Sequence, residues 1–357
     1  MTPLSPLSAR QLPARDIIAT MPPGNRDKRF APGVVRLTLD YAAYFALLVG
    51  IVLLPWWLKV VCVLAAAGQV GRLFVLAHDA GHNTLTPSYF WNRLLGRLAF
   101  LPGFTPFTSW QHAHNHLHHG FLRIRGKDMV WCPWTVEQFR AASRPRRFWY
   151  RFQRTTIGMP FYWIVENWFK CHFFPSKGAM KTRRGTLHAE RGGVVLFALL
   201  LTAALWLVGE NFGAESVLSV WQIPLMCQLL PYFLWCYVMA TVDLIHHTHP
   251  RMVWFADASR WNYFQANVES STRIYLPLGL HKLFHNILEH TAHHVDPRIP
   301  LYNLPDSQAK LKEAFPAAVV EEMLLIRYVW RLFRTCQLYD YEGQRWLRYN
   351  GEPSPVW

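Results

Sequence analysis

Cysteine is scarce and poorly placed for metal chemistry. The six cysteines stand at positions 62, 132, 171, 227, 236 and 336, with no CxxC pair among them. That excludes an iron–sulfur cluster or a thiolate zinc site as the organising chemistry. Charge is also scarce: only 17% of the 357 residues are Asp, Glu, Lys or Arg, and 22 acidic residues face 37 basic ones. Histidine is missing from residues 1–77 and 192–245, although the chain carries 17. No internal repeat is visible, and no apolar run precedes residue 37, so a cleavable signal peptide is not expected.

Apolar residues fill the space that charge leaves. The chain is 52% hydrophobic, with 17 Trp and 23 Phe. The tract 37–78 holds about two membrane passes, divided near Pro55, Trp56 and Trp57; GVVLFALLLTAALWLV, 193–208, is a third and residues 217–242 a fourth. Each approaches the roughly 20 residues a crossing needs. Pro224 and Pro231 are expected to kink the fourth, a defect that neighbouring helices can accommodate. Ionisable residues are few within these tracts, with Asp40 near the start and Arg72 near the end of the first.

Charge placement gives the expected orientation. Residues 121–191 hold 15 Lys plus Arg against four Asp plus Glu, whereas GENFGAES, between the third and fourth tracts, has two Glu and no base. By the positive-inside bias the middle segment faces the cytoplasm. The net charge of +15 then reflects topology and anionic lipid rather than nucleic acid. Between 83 and 110 lies an apolar stretch too short to cross, read as an interfacial or re-entrant helix. Arg123, Arg125 and Lys127 suit a phosphate head group, an electron donor or a solvated loop, and WYRFQR, 149–154, suits an interfacial anchor. From residue 308 onward the tail reads as amphipathic helix.

The histidines gather where the topology puts the cytoplasmic helix ends. LAHDAGH offers His78 and His82, four apart, with Asp79 placed to orient a ring. WQHAHNHLHHG, Trp110–Gly120, offers five. At about 100° per residue, His114 and His118 share one α-helical face with His119 beside them, while His112 stands on the opposite side. LEHTAHH offers His290, His293 and His294, preceded by His285 and Glu289. VDLIHHTHP adds Asp243, His246, His247 and His249. A single zinc ion takes three or four ligands. Eight histidines in three clusters, and a further one from the fourth, suit two metal ions better. Imidazole donors suit Fe, Zn, Cu or Ni.

These residues resemble those of the membrane-bound fatty acid desaturases, in particular the acyl-lipid branch. HDAGH, 78–82, matches that family's first box; His114-x3-His118-His119 matches the second, and His290-x2-His293-His294 the third. HHVDPRIPLYNL, 293–304, and HTHP, 247–250, followed by Trp254, are similar to the family's flanking signatures. The resemblance spans about residues 37–304. It implies a non-haem diiron centre held by His78, His82, His114, His118, His119, His290, His293 and His294, with His247 direct or through a water. It also implies O2 as co-substrate, a fatty acyl lipid substrate, and two electrons from a separate ferredoxin or cytochrome b5. Asp79, Asp243 and Glu289 are the nearest carboxylates, and His246, His249 and His285 the further candidates.

The expected architecture is an all-α integral membrane protein: four transmembrane helices with a cytosolic helical cap holding the histidine-rich dimetal site. Residues 1–36 form a cytosolic N-terminal segment, 37–304 the transmembrane and catalytic domain, and 305–357 a cytosolic helical tail. The lack of a Ser-rich leader or fused haem domain leans toward a bacterial inner membrane. Two rivals stand beside desaturation. A hydroxylase, ketolase or acetylenase shares the fold and metal, whereas a histidine-rich metal transporter calls for ligands near mid-bilayer.

Overall fold

The computed structural model describes residues 6–213 and 218–357. Four of its helices are long and apolar enough to cross a membrane: α1 (Phe30–Leu53), α2 (Trp56–Gly81), α3 (Arg184–Phe212) and α4 (Gln222–His247), with 24, 26, 29 and 26 residues. At about 1.5 Å per residue, each exceeds the roughly 30 Å hydrocarbon thickness of a bilayer. Residues 214–217, part of the acidic link and the first residue of the expected fourth crossing, lie outside the described residues.

Local chemistry sets the helix ends. Pro55 has no N–H and crowds the residue before it, so Leu54 is extended (φ −84°, ψ 165°) and α1 stops at Leu53. In α4 the ladder is π-helical over Leu225–Leu229, between Pro224 and Pro231. The expected disturbance by these prolines is therefore a widened turn.

The chain divides into two compact units. The first, residues 28–113 and 163–239, holds α1, α2, α3 and α4 up to Met239. Three ionisable groups of α1 and α2, Asp40, Lys59 and Arg72, are answered locally. Arg72 of α2 pairs with Asp40 of α1 at 2.7 Å, and Gln69 donates to the Asp40 carbonyl at 3.0 Å. Lys59, at the start of α2, donates to the Val52 carbonyl at 3.1 Å. On α3, by contrast, Val195, Leu196, Leu199 and Leu200 are exposed. Only 22% of the most apolar window of α3 is buried. Such an unpartnered stripe is stable against lipid tails and unfavourable against water.

The short apolar stretch after the second crossing forms a 12-residue helix, Tyr89–Phe100, too short to span. A second short helix, Phe107–His112, leads into the histidine-rich stretch. Glu190 holds it: its carboxylate accepts from the Thr108 N–H at 2.8 Å, from the Thr108 hydroxyl at 2.6 Å and from Arg97 at 2.8 Å. An acidic group at these free N–H groups is favoured by hydrogen bonding and by the helix dipole.

The second unit, residues 1–27, 114–162 and 240–357, is not all helical. Strands β1 (Thr272–Tyr275) and β2 (Val320–Met323) pair in parallel, Thr272 opposite Val320 and Tyr275 opposite Met323. Strands β3 (Leu338–Asp340) and β4 (Arg345–Leu347) form an antiparallel hairpin. The expected helical tail is thus corrected to a mixture of helix and strand. Helix Leu304–Ala314 ends before Pro316, and the β-branched Val319 and Val320 feed a strand before helix Ile326–Thr335. Within WYRFQR, the buried Arg154 stacks over Tyr150 at 3.8 Å, and the exposed Arg151 lies over Tyr349 at 4.8 Å.

Candidate metal centre

The five-histidine stretch does not continue as an ordinary α-helix. Residues Ala113–His118 are π-helical, and His119–Phe121 close the segment as a 3-10 turn. In a π-turn the bond runs from i to i+5, so residues five apart come together rather than residues four apart. The Nε2 atoms of His114 and His119 lie 3.1 Å apart. The sequence-based pairing of His114 with His118 assumed the α period; their ring centroids are 5.4 Å apart.

His112 and His116 point elsewhere. The His112 ring donates to the Ala179 carbonyl at 2.9 Å, and His116 is exposed.

Helix α5, His290–Val295, supplies the third cluster. Its Ala292 N–H donates to the Gln308 side chain at 2.8 Å, tying the short helix to its neighbour. Its three histidines split between two sets. His293 Nε2 lies 3.2 Å from His119 Nε2, completing a set with His114. His290 Nε2 lies 3.0 Å from both His247 Nε2 and His294 Nε2. His118, His247 and His294 each offer a ligand atom within 4.8 Å of the others, and all three are buried.

The spacing suits metal. Two ring nitrogens about 2.1 Å from one ion stand about 3.0 Å apart at a right angle and about 3.4 Å apart at a tetrahedral angle. The buried Nδ1 atoms of His247, His290 and His294 have no hydrogen-bond partner among the described residues. Burial pushes the His290 and His294 imidazoles well below their ordinary titration range, so both are neutral and able to donate a lone pair. The donor set and its nitrogen–nitrogen distances fit bound metal.

Box one lies in the first unit. His78 and His82, at the end of α2, have ring centroids 4.8 Å apart, and the edge of Trp110 packs on His78 at 5.5 Å. Gly81 between them is required sterically, because a Cβ there meets Trp110 Cζ3 at 2.5 Å. Asp79 accepts from the Thr84 hydroxyl at 2.6 Å, fixing the turn that follows the box.

The remaining candidates fall in different places. His246 stacks on His290 at 4.0 Å with both ring nitrogens buried and unpartnered. His249 faces Glu322 at 3.4 Å and accepts from the Arg251 N–H at 3.1 Å. His285 is a buried left-handed cap (φ 52°). The Glu289 carboxylate is taken by the Arg273 guanidinium, which also reaches Glu321 at 2.9 Å. Asp243 sits half-buried in α4, one turn before His247.

Two residues take places that sequence reasoning did not assign. Asp128 accepts from His118 Nδ1 at 3.0 Å, both side chains being 2% exposed. Ten positions separate them, beyond any helical spacing rule. Arg123 is not on a solvated loop: its side chain is fully buried over Trp254 at 5.1 Å. Burial lowers the Arg123 guanidinium to about 10, which leaves it charged near neutral pH.

With this geometry in hand, comparison with known proteins is direct. The profile of the family described as fatty acid desaturase matches residues 54–324, well over half of the chain. The chain belongs to the fatty acid desaturase family. It is an enzyme of the histidine-box type, and its helices and histidine sets are those of a membrane-associated lipid desaturase. An sn-1 oleoyl-lipid 12-desaturase of Synechocystis sp. is 29% identical over 335 residues, covering 93% of this chain and 90% of the relative. One from Anabaena variabilis is 27% identical over 351 residues, covering 94% and 92%. The chloroplastic omega-6 fatty acid desaturase of Spinacia oleracea is 26% identical over 342 residues, covering 92% and 70%.

Proposed function

We propose that this enzyme introduces a double bond at the 12 position of oleoyl chains esterified in membrane glycerolipids. Family membership carries the reaction type, and the activities of the cyanobacterial relatives support the substrate. The four apolar helices are consistent with a substrate delivered from the bilayer.

The ligand reading has two sets. His118, His247, His290 and His294 hold one ion; His114, His119 and His293 hold the other. His78 and His82 are metal ligands on the family's box pattern. When bound, a pair of iron ions with O2 supplies the oxidising power to remove two hydrogens from unactivated methylenes, beyond the reach of any side-chain base. The chain's own residues bind and orient. Burial keeps His290 and His294 neutral, and Asp128 holds the Nδ1 side of His118. Helix α5 lets one short segment serve both sets, since His293 and His294 point to different ones.

The basic bias of residues 121–191 supports a site on the cytoplasmic side of a bacterial inner membrane, with residues 37–304 as the catalytic segment. Electrons come from a separate ferredoxin or cytochrome b5.

The test is expression in a host whose lipids carry oleate but no diene, with double bonds located by fragmentation of the glycerolipid acyl chains. A new bond at position 12, by loss of two hydrogens, is expected. Gain of one oxygen instead identifies a hydroxylase, and an unchanged lipid profile with an active electron donor present overturns the assignment.

A further inference from the structure

We propose that Asp128 is a positioning residue for one ligand set only. It fixes the tautomer and direction of His118, and so tunes the affinity of the His118, His247, His290 and His294 set without acting on the other. The inference rests on the two-set reading above.

The carboxylate is held independently of the histidine. Oδ2 accepts the Arg123 N–H at 2.9 Å, and Oδ1 accepts the Val130 N–H at 3.1 Å as well as His118 Nδ1–H at 3.0 Å. The loop that carries it is stitched to a neighbouring segment: Arg125 N–H donates to the Phe255 carbonyl at 3.0 Å, and Phe255 N–H to the Arg123 carbonyl at 2.9 Å. Arg123 stands in the left-handed region (φ 66°), a conformation costly for a side chain of its size and sustained here by its buried guanidinium over Trp254. Asp128 is therefore an anchored acceptor.

Its chemistry then dictates the ring. A carboxylate that already accepts two backbone N–H groups accepts here too, so the His118 proton in this hydrogen bond resides on Nδ1. The lone pair is left on Nε2. That fixes the ring's donor atom, in a ring whose centroid lies 4.6 Å from His247 and 5.1 Å from His294. The Nδ1 atoms of His247, His290 and His294 have no such acceptor. His118 is thus the member of its set whose tautomer is fixed by a carboxylate.

The experiment is a Co(II) titration of the metal-free full-length protein in detergent, followed by the visible absorption of bound cobalt. The wild type is expected to bind two ions. Asp128→Asn is expected to weaken one of them by about 10–100-fold and leave the other at wild-type affinity. In a His118→Ala background, Asp128→Asn is expected to cause no further loss, because its action runs through that ring. Wild-type affinity at both sites in Asp128→Asn overturns the proposal, as does an equal loss at both, which assigns Asp128 to general folding. A wild type that binds a single cobalt contradicts the two-set reading itself, a result distinct from either.

Discussion

The Nε2 atoms of His290 and His247 lie 3.0 Å apart, although 43 residues separate them in sequence. One belongs to the third histidine box and the other to the end of α4. Removing His247 therefore takes a nitrogen directly from the set. His247→Ala is expected to lower product formation by at least about 100-fold and to lose one of two bound irons, a larger effect than removing an outer hydrogen-bonding partner. His249→Ala is the control, because that ring faces Glu322 and the Arg251 N–H. It is expected to keep its iron. Metal analysis of both variants checks this.

Within the five-histidine stretch the outcome is expected to differ by residue. His119→Ala removes the nitrogen that lies near both His114 and His293 and is expected to abolish product. His112→Ala loses a hydrogen bond to the Ala179 carbonyl, and His116→Ala loses an exposed ring. Both are expected to retain activity within about threefold, the scale of a weak surface interaction. Fatty acid profiles of the three variants at equal expression decide it.

These cases show what was legible in sequence. Membrane spans are statistical objects about 20 residues long, and the four are legible from composition alone, with ends up to nine residues adrift (Arg184 against the expected 193). The histidine clusters were legible because ligands repeat a residue type at short spacing. Their division into two sets was not, because it depends on a π-turn that no periodicity rule anticipates at Ala113–His118. The role of Asp128 is hidden from the sequence for a related reason. It meets His118 through a loop fold that brings residues ten apart together, and a lone aspartate beside three basic residues reads as an ordinary solvated group. The strands of the second unit are only three or four residues long, and their pairing joins positions nearly 50 residues apart.

Packing beside box one is expected to be unforgiving. Gly81→Ala places a methyl 2.5 Å from the Trp110 ring, whose edge also rests on His78. Overpacking of this kind costs about 1–3 kcal/mol. A lower melting temperature is expected, with reduced iron content. Gly126→Ala, where no atom lies within 4 Å of the added Cβ but φ is +71°, separates backbone strain from packing. It is expected to lower the melting temperature while leaving iron content unchanged.

The buried His172 sets an acid limit on stability. Burial lowers it from 6.5 to about 3, so it is neutral in the folded protein. The unfolded chain takes up a proton below about pH 6.5 that the folded chain refuses, so stability falls at about 1.4 kcal/mol per pH unit below that point. This contribution is fully present above pH 6.5 and is lost progressively as pH falls toward 3. His172→Phe is expected to make thermal stability between pH 7 and about 5 less pH-dependent by one proton. The Ser109 hydroxyl, which donates to the His172 backbone carbonyl, keeps its partner in that variant. An unchanged slope contradicts the burial argument.

The central claim is that two sets of histidines hold two iron ions in one desaturase. Iron per chain in protein purified aerobically from iron-replete cells tests it most directly, compared between wild type and His294→Ala. The account predicts about two irons in the wild type and about one in the variant, whose ring sits with His118 and His247 rather than with His114. Tightly bound zinc in place of iron, or a single iron per wild-type chain, contradicts it.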